Sequence, residues 1–148
     1  MEAVIEKAGV ERLDGWMALV RRVRDEFPGL ETEELLMEHR RTVEKFMRRG
    51  EAICAVQDGL VVGALLYSVK KGLLCFLAVH PDARRRGIAR EMVQRMLREM
   101  PGEVRVQTFC EGDERGRAAR PFYRSLGFVP DRLSDYNGYP EQDFVLKR

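Results

Sequence analysis

Apolar residues recur at three- and four-residue spacing early in the chain: Leu13, Trp16, Met17, Val20, Val23 and Phe27 share one side of a helix that Pro28-Gly29 stops. Val4 to Glu6, just before it, predicts a short first strand. Thr32 stands where it can cap a second helix, whose apolar face is Leu35, Leu36, His39, Val43, Phe46 and Met47 and whose terminator is Gly50. The texture then changes. Ala52 to Val56 and Val61 to Tyr67 are β-rich runs joined through Asp58-Gly59, a dipeptide suited to a primed hairpin turn. A second turn at Lys70-Lys71-Gly72 leads into Leu73 to Val79, an almost wholly apolar run that predicts a central strand buried on both faces.

After Val79 the chain runs through His80-Pro81-Asp82-Ala83 and three arginines into a helix. Its stripe is Ile88, Met92, Met96 and Met100, alternating with Ala89, Val93 and Leu97, and Pro101-Gly102 ends it. Val104 to Phe109 is the next strand. Leu73 to Phe109 therefore predicts a β-α-β unit with parallel strands and a right-handed crossover, which puts the loop from Arg84 to Gly87 at the C-terminal edge of the sheet, where such units bind ligands. A polar loop from Glu111 to Gly116 precedes a short helix from about Arg117 to Leu126, closed by Gly127. Phe128-Val129 and Phe144 to Leu146 read as two last antiparallel strands around a long loop. In that loop Tyr136, Asn137, Gly138, Tyr139 and Pro140 are compatible with either an aromatic lid or a packed turn.

Composition narrows the function classes. A chain of 148 residues, 45% apolar and 34% charged, has the size and balance of one folded domain, and residues 1–148 are expected to form it. Met1 to Val10 carries Glu2, Glu6 and Lys7 with no signal-like apolar run, and no apolar stretch is of bilayer length. A cytoplasmic location without a membrane partner is the expectation. Cys54, Cys75 and Cys110 are odd in number and set in apolar runs, which predicts buried reduced thiols rather than disulfides, and no metal-ligand spacing occurs. With 26 basic against 24 acidic residues, the net charge of +2 argues against a general nucleic-acid partner and makes any anion site local.

The local site is Arg84-Arg85-Arg86-Gly87-Ile88-Ala89. The first turn of a helix leaves backbone N–H groups unpaired and pointing along its axis, and anions bind there. Gly87 lets a phosphate approach without a Cβ in the way, small Ala89 keeps the turn close to the sheet, and the guanidiniums add fixed positive charge. Taken alone the hexapeptide is equally compatible with solvated surface. No Gly-Lys-Ser/Thr P-loop and no G-x-G-x-x-G occurs, which leaves nucleoside triphosphates and nicotinamide cofactors without a matching cradle.

Leu77-Ala78-Val79-His80-Pro81 followed by Arg84-x-x-Gly87-x-Ala89 resembles the acetyl-CoA motif of the GNAT acetyltransferase family, R/Q-x-x-G-x-G/A. A second family element, A-x-x-F-Y-x-x-x-G-F, resembles Ala119 to Phe128, in the expected order after the next strand. The resemblance implies an α+β (α/β GNAT) fold: a mixed, mostly antiparallel central sheet with a parallel pair splayed at the cofactor site and helices on both faces. It implies N-acetyl transfer from acetyl-CoA to a small-molecule or peptide amine by direct attack, in a monomer or homodimer. Leu77, Ala78 and Val79 would pair with the pantetheine arm. Arg84, Arg85, Arg86, Gly87, Ile88, Ala89 and Arg90 would hold the diphosphate, and Tyr123 would be the general acid.

Many relatives carry a carboxylate base where Gln107 stands, so Glu111 or Asp113 or an ordered water is left as the proton acceptor. Gly116 stands where relatives often have asparagine. His80 is read as a turn residue and His39 as a core or groove residue. The second reading of the chain is a non-catalytic acyl-CoA-binding or sensing module that keeps the cradle without the base.

Overall fold

The computed structural model of the chain describes residues 2–136 and 138–148, Tyr136 through its main chain only. Seven described strands form one mixed sheet: β1 (Val4–Lys7), β2 (Ala52–Gln57), β3 (Leu60–Ser68), β4 (Leu73–Val79), β5 (Val104–Phe109), β6 (Val129–Tyr136) and β7 (Tyr139–Leu146). Their spatial order is β1-β2-β3-β4-β5-β7-β6. Every neighbouring pair is antiparallel except β4 and β5. Helices α1 (Leu13–Val23) and α2 (Glu33–Arg48) cover one face, building a core of Trp16, Val20, Leu36 and Val43 on Ala52, Cys54, Ala64 and Ala78. On the other face, α3 (Ile88–Leu97) and α4 (Ala119–Ser125) build a core of Met92, Met96 and Tyr123 on Leu65, Leu74, Val106 and Phe144. The expected α+β fold, mixed, mostly antiparallel and helix-covered on both faces, is the observed one.

Local chemistry explains the joints. Thr32 accepts a hydrogen bond from the Leu35 amide at 3.1 Å, the N-cap of α2, worth about 1 kcal/mol. Asp58 and Gly59 both have positive φ, 52° and 78°, which is the primed turn that the β2–β3 hairpin requires. Gly63 on β3 lets α3 approach the sheet: a Cβ there would stand 2.9 Å from Met92 Cε and 3.1 Å from Ile88 Cγ2. The helix that carries the candidate anion corner is thereby seated directly on the sheet.

Strand β4 departs from the expectation of burial on both faces: Leu74 and Ala78 are buried, Cys75 is exposed, and Phe76, Leu77 and Val79 are half-buried. The cause is a β-bulge. Leu66 pairs with Phe76 and Tyr67 with Leu74, so Cys75 is an extra residue that bends the strand. Pairing with β5 ends at the same place, for only Leu73 with Arg105 and Leu74 with Val106 are partners. Beyond the bulge β4 leaves its parallel neighbour, opening a wedge between Phe76–Val79 and the end of β5.

The chain end also differs from its sequence reading. The long loop after Gly127 is mostly β6 and β7, an eight-by-eight-residue hairpin whose register runs to Tyr136 opposite Tyr139. Asn137 lies outside the described residues, as does the Tyr136 side chain; what is described at the tip is a hairpin turn in which Asp135 Oδ1 accepts from the Gly138 amide at 2.6 Å. Of the three cysteines expected to be buried, only Cys54 is; Cys75 is exposed on the bulge and Cys110 is half-buried at the end of β5. Among the described residues no helix is long and apolar enough to cross a membrane.

Candidate active site

Polar backbone groups of β4 decide what the wedge offers. The His80 amide donates to the Val62 carbonyl at 2.8 Å, which fixes the ladder's alternation: Ala78 with Ala64 and Phe76 with Leu66 exchange hydrogen bonds across the β3 side. The N–H and C=O groups of Leu77 and Val79 therefore point the other way, into the wedge. Arg84 Nε takes the Val79 carbonyl at 3.1 Å, leaving the Leu77 N–H and C=O and the Val79 N–H without strand partners. Of the three β4 residues singled out from the sequence, Leu77 and Val79 face the wedge with their main chain, while the main-chain bonds of Ala78 are spent on β3.

The loop after β4 brings the second set of donors. A 3-10 turn over Pro81–Ala83, in which His80 Nδ1 accepts from the Asp82 amide at 3.1 Å, delivers the chain to Arg84. Arg85 has φ 66° and Gly87 φ 79°, and Gly87 is the residue from which α3 starts, without a side-chain cap. The amides of Gly87, Ile88, Ala89 and Arg90 have no partner among the described residues. Alternating handedness of the backbone before a helix turns successive N–H groups into one concavity, the geometry of an anion-binding nest. A Cβ built on Gly87 meets nothing within 4 Å, so the space in front of this corner is open.

The arginines divide by role. Arg84 is held by Glu26, Arg86 bonds Gln57 Oε1 and the Asp82 carbonyl at 3.2 Å each, and Arg90 bonds Ser125 Oγ at 2.8 Å. Arg85 makes no hydrogen bond or ion pair among the described residues and projects as an exposed charge beside the corner. A linked diphosphate carried on an extended amide-bearing arm fits this arrangement: bare amides and a free guanidinium at one end, unpaired strand groups along the other. Among the described residues no group of three or more His, Cys, Asp or Glu is placed to hold a metal ion.

Tyr123 lies in the core on the α3–α4 face of the sheet, its ring 5.3 Å from Phe122, 5.7 Å from Phe128 and 6.3 Å from Phe144. Burial pushes its phenol pKa well up, so the proton is held firmly at neutral pH. The residue is buried, and its hydroxyl has no hydrogen-bond partner among the described residues.

The carboxylates that the sequence nominated as proton acceptors part company here. Asp113 caps a 3-10 turn over Glu114–Gly116 through the Arg115 amide at 3.0 Å and accepts the Tyr139 hydroxyl. That hydroxyl, above all, holds the Asp113 carboxyl below its ordinary range and makes it a poor base. Arg115 stacks over Tyr139 at 4.5 Å and Phe109 at 5.2 Å, completing a latch between the loop after β5 and the hairpin. Glu111 stands exposed in the same loop. Gln107 is exposed on the open side of β5, opposite Asp143.

Glu141 escaped the sequence reading: it pairs with Phe109 across β5 and β7, on the sheet face of Gln107, and burial raises its pKa above the ordinary glutamate value. His39 packs on Phe76, ring centroids 4.9 Å apart, and burial lowers its imidazole to about 4, so it is neutral at pH 7 and a weak proton acceptor. Gly116 is no simple loss of a side chain, because a Cβ there would stand 2.7 Å from Phe109 Cβ.

Comparison with known proteins gives one family and one fold. Residues 16–128 match the acetyltransferase (GNAT) family. No curated protein sequence matches the chain. Among solved structures, a GNAT-family acetyltransferase of Bacillus cereus ATCC 10987 is 21% identical, with a TM-score of 0.76 over 100% of this chain and 99% of that one. The PaiA N-acetyltransferase of Thermoplasma acidophilum, in complex with coenzyme A, is 16% identical with a TM-score of 0.72 over 100% of both chains. A ribosomal-protein-alanine N-acetyltransferase of Brucella melitensis is 18% identical with a TM-score of 0.75 over 98% of this chain and 99% of that one. At these identities the likeness is one of fold.

Proposed function

Since the chain belongs to the acetyltransferase (GNAT) family, we propose that it is an N-acetyltransferase that moves an acetyl group from acetyl-coenzyme A to a small-molecule or peptide amine, by direct attack in a ternary complex. The observation that carries this reading is two sets of backbone donors without partners among the described residues, Leu77 and Val79 on the splayed edge of β4 and Gly87–Arg90 at the start of α3. Coenzyme A bound to the Thermoplasma PaiA protein, which shares the fold, supports the choice of cosubstrate. On this reading residues 1–148 are one catalytic domain working in the cytoplasm.

Acetyl-coenzyme A, when bound, supplies an activated acetyl thioester. The corner amides hold the diphosphate with the Arg85 guanidinium beside them, and the β4 edge orients the pantetheine arm as a strand would. The Leu77 N–H donates to the thioester carbonyl oxygen, where negative charge grows during attack. Tyr123 donates its phenolic proton to the departing sulfur. Burial disfavours a phenolate and an equally buried thiolate alike, so the proton passes between two groups penalised in the same way.

The proton of the attacking amine goes to Glu141, whose desolvated carboxylate is a stronger base than an exposed one. Activity is then expected to fall on the acid side through a pKa above the ordinary glutamate value, because a protonated Glu141 cannot accept. Glu141→Gln should flatten that limb and lower kcat by about 100-fold, read from pH–rate profiles of both proteins. An unaltered profile would move the role to Glu111.

Release of free thiol from acetyl-coenzyme A, measured against a panel of amines, tests the proposal as a whole. Turnover with at least one primary amine is the expected result. Tight binding of acetyl-coenzyme A with no turnover on any amine would favour the non-catalytic reading, for which Gln107 in place of a carboxylate is the supporting observation.

A further inference from the structure

Of the three arginines at the corner, the first is spent elsewhere. Arg84 Nη2 reaches both oxygens of Glu26, at 2.7 and 3.0 Å, and its Nε bonds the Val79 carbonyl at 3.1 Å. Glu26 is 58 positions away in sequence, in the 3-10 turn Arg24–Glu26 between α1 and α2. Its neighbour Phe27 packs on Phe76 of β4 with ring centroids 4.8 Å apart, and Phe76 in turn meets His39 of α2. One guanidinium thus ties three things together: the end of the β4 edge, the start of the corner, and the connection between the first two helices.

The arrangement is odd for a site built to attract an anion. A carboxylate beside a diphosphate repels it, and an arginine already paired with that carboxylate has little charge left to offer. Exposed ion pairs also contribute little to stability, and here both side chains are over two-fifths exposed, 43% and 48%. The placement makes sense if geometry is what Glu26 secures. With Arg84 clamped, the Val79 carbonyl is covered. A lone carbonyl at that point would face an incoming phosphate with partial negative charge, and its strand would lose the fixed spacing to the amides of Gly87–Arg90.

We propose that Glu26 is a positioning residue for the cofactor: through Arg84 it caps the Val79 carbonyl and holds the diphosphate corner at a fixed distance from the pantetheine edge, so that Arg84 acts as a strap and not as a phosphate ligand. This rests on the acetyl-coenzyme A reading above.

The two roles for Arg84 predict opposite signs at Glu26. If Arg84 bound phosphate directly, Glu26→Gln would free its charge, remove a repelling one and tighten binding. If Arg84 is a strap, Glu26→Gln loosens the corner and weakens binding.

Calorimetric titration of coenzyme A into the wild type, Glu26→Gln, Arg84→Gln and the double variant, each at two salt concentrations, decides between them. Each single variant is expected to weaken binding about fivefold, the double variant no more than either, with the salt dependence and melting temperature of the wild type retained. Unchanged or tighter binding by Glu26→Gln, losses that multiply in the double variant, or a flatter salt dependence in Arg84→Gln would overturn the strap. A wild type that fails to bind coenzyme A would instead overturn the functional reading on which the strap depends.

Discussion

Gly87→Glu is expected to lower the affinity for coenzyme A by at least about 100-fold while leaving the fold in place. The space before Gly87 is open, with nothing within 4 Å of a built Cβ, so the side chain projects into the anion site without striking the protein. There it brings a negative charge to the start of α3, where bare amides and the helix dipole favour an anion, and it occupies the place of the diphosphate. A separate and smaller cost is conformational: φ of 79° is left-handed, which a non-glycine residue adopts at about 1–2 kcal/mol. Gly87→Ala carries that cost alone, so comparing the two variants by calorimetry and thermal melting separates strain from charge. Should Gly87→Glu bind coenzyme A as the wild type does, this corner is not the phosphate site.

Tyr123→Phe is expected to reduce kcat by about 100-fold with cofactor affinity and melting temperature nearly unchanged. The phenylalanine keeps the packing of the ring on Phe122, Phe128 and Phe144. It deletes a hydroxyl with no hydrogen-bond partner among the described residues, so none of those is orphaned by the change. A tyrosine kept for packing predicts equal kcat in both proteins, and steady-state kinetics with any turned-over amine distinguishes the two. The raised phenol pKa fits an acid that must hold its proton until the sulfur departs.

What could be read from the chain and what could not follow physical lines. Stripes on α1, α2 and α3, the Asp58-Gly59 turn and the β-α-β unit are local patterns, set by periodicity and by backbone preferences of a few residues, and they appear in the structure where the pattern put them. The two last strands pair antiparallel as their apolar ends predict, but the length of the β6–β7 hairpin was not legible because its strands carry Asp131, Arg132, Ser134, Asp135, Glu141, Gln142 and Asp143. Polar residues fall at consecutive positions in both strands, so apolar and polar positions do not alternate. Asn137-Gly138, a dipeptide typical of two-residue hairpin turns, was the signal that would have revealed it.

The bulge at Cys75 was equally silent, since an apolar run reads the same with or without an extra residue. Yet the bulge decides the site: it turns β4 from β5 and leaves Leu77 and Val79 without partners on that strand. Pairings that join distant segments leave no local mark at all. The Tyr139 hydroxyl on Asp113, the burial of Glu141 beside β5 and the bond from Arg84 to Glu26 each join residues more than twenty positions apart. The loop motif located the anion corner, but the division of labour among its arginines required the partners to be seen.

The central claim is that a run of main-chain donors, not a set of side chains, receives the cofactor. Titrating nitrogen-15-labelled protein with coenzyme A and following the backbone amide resonances reads those donors one by one. Saturable shifts largest at Leu77, Val79, Gly87, Ile88, Ala89 and Arg90, with β1 and the C-terminal half of α2 undisturbed, are the predicted result. Saturable binding that leaves those amides unmoved would contradict it.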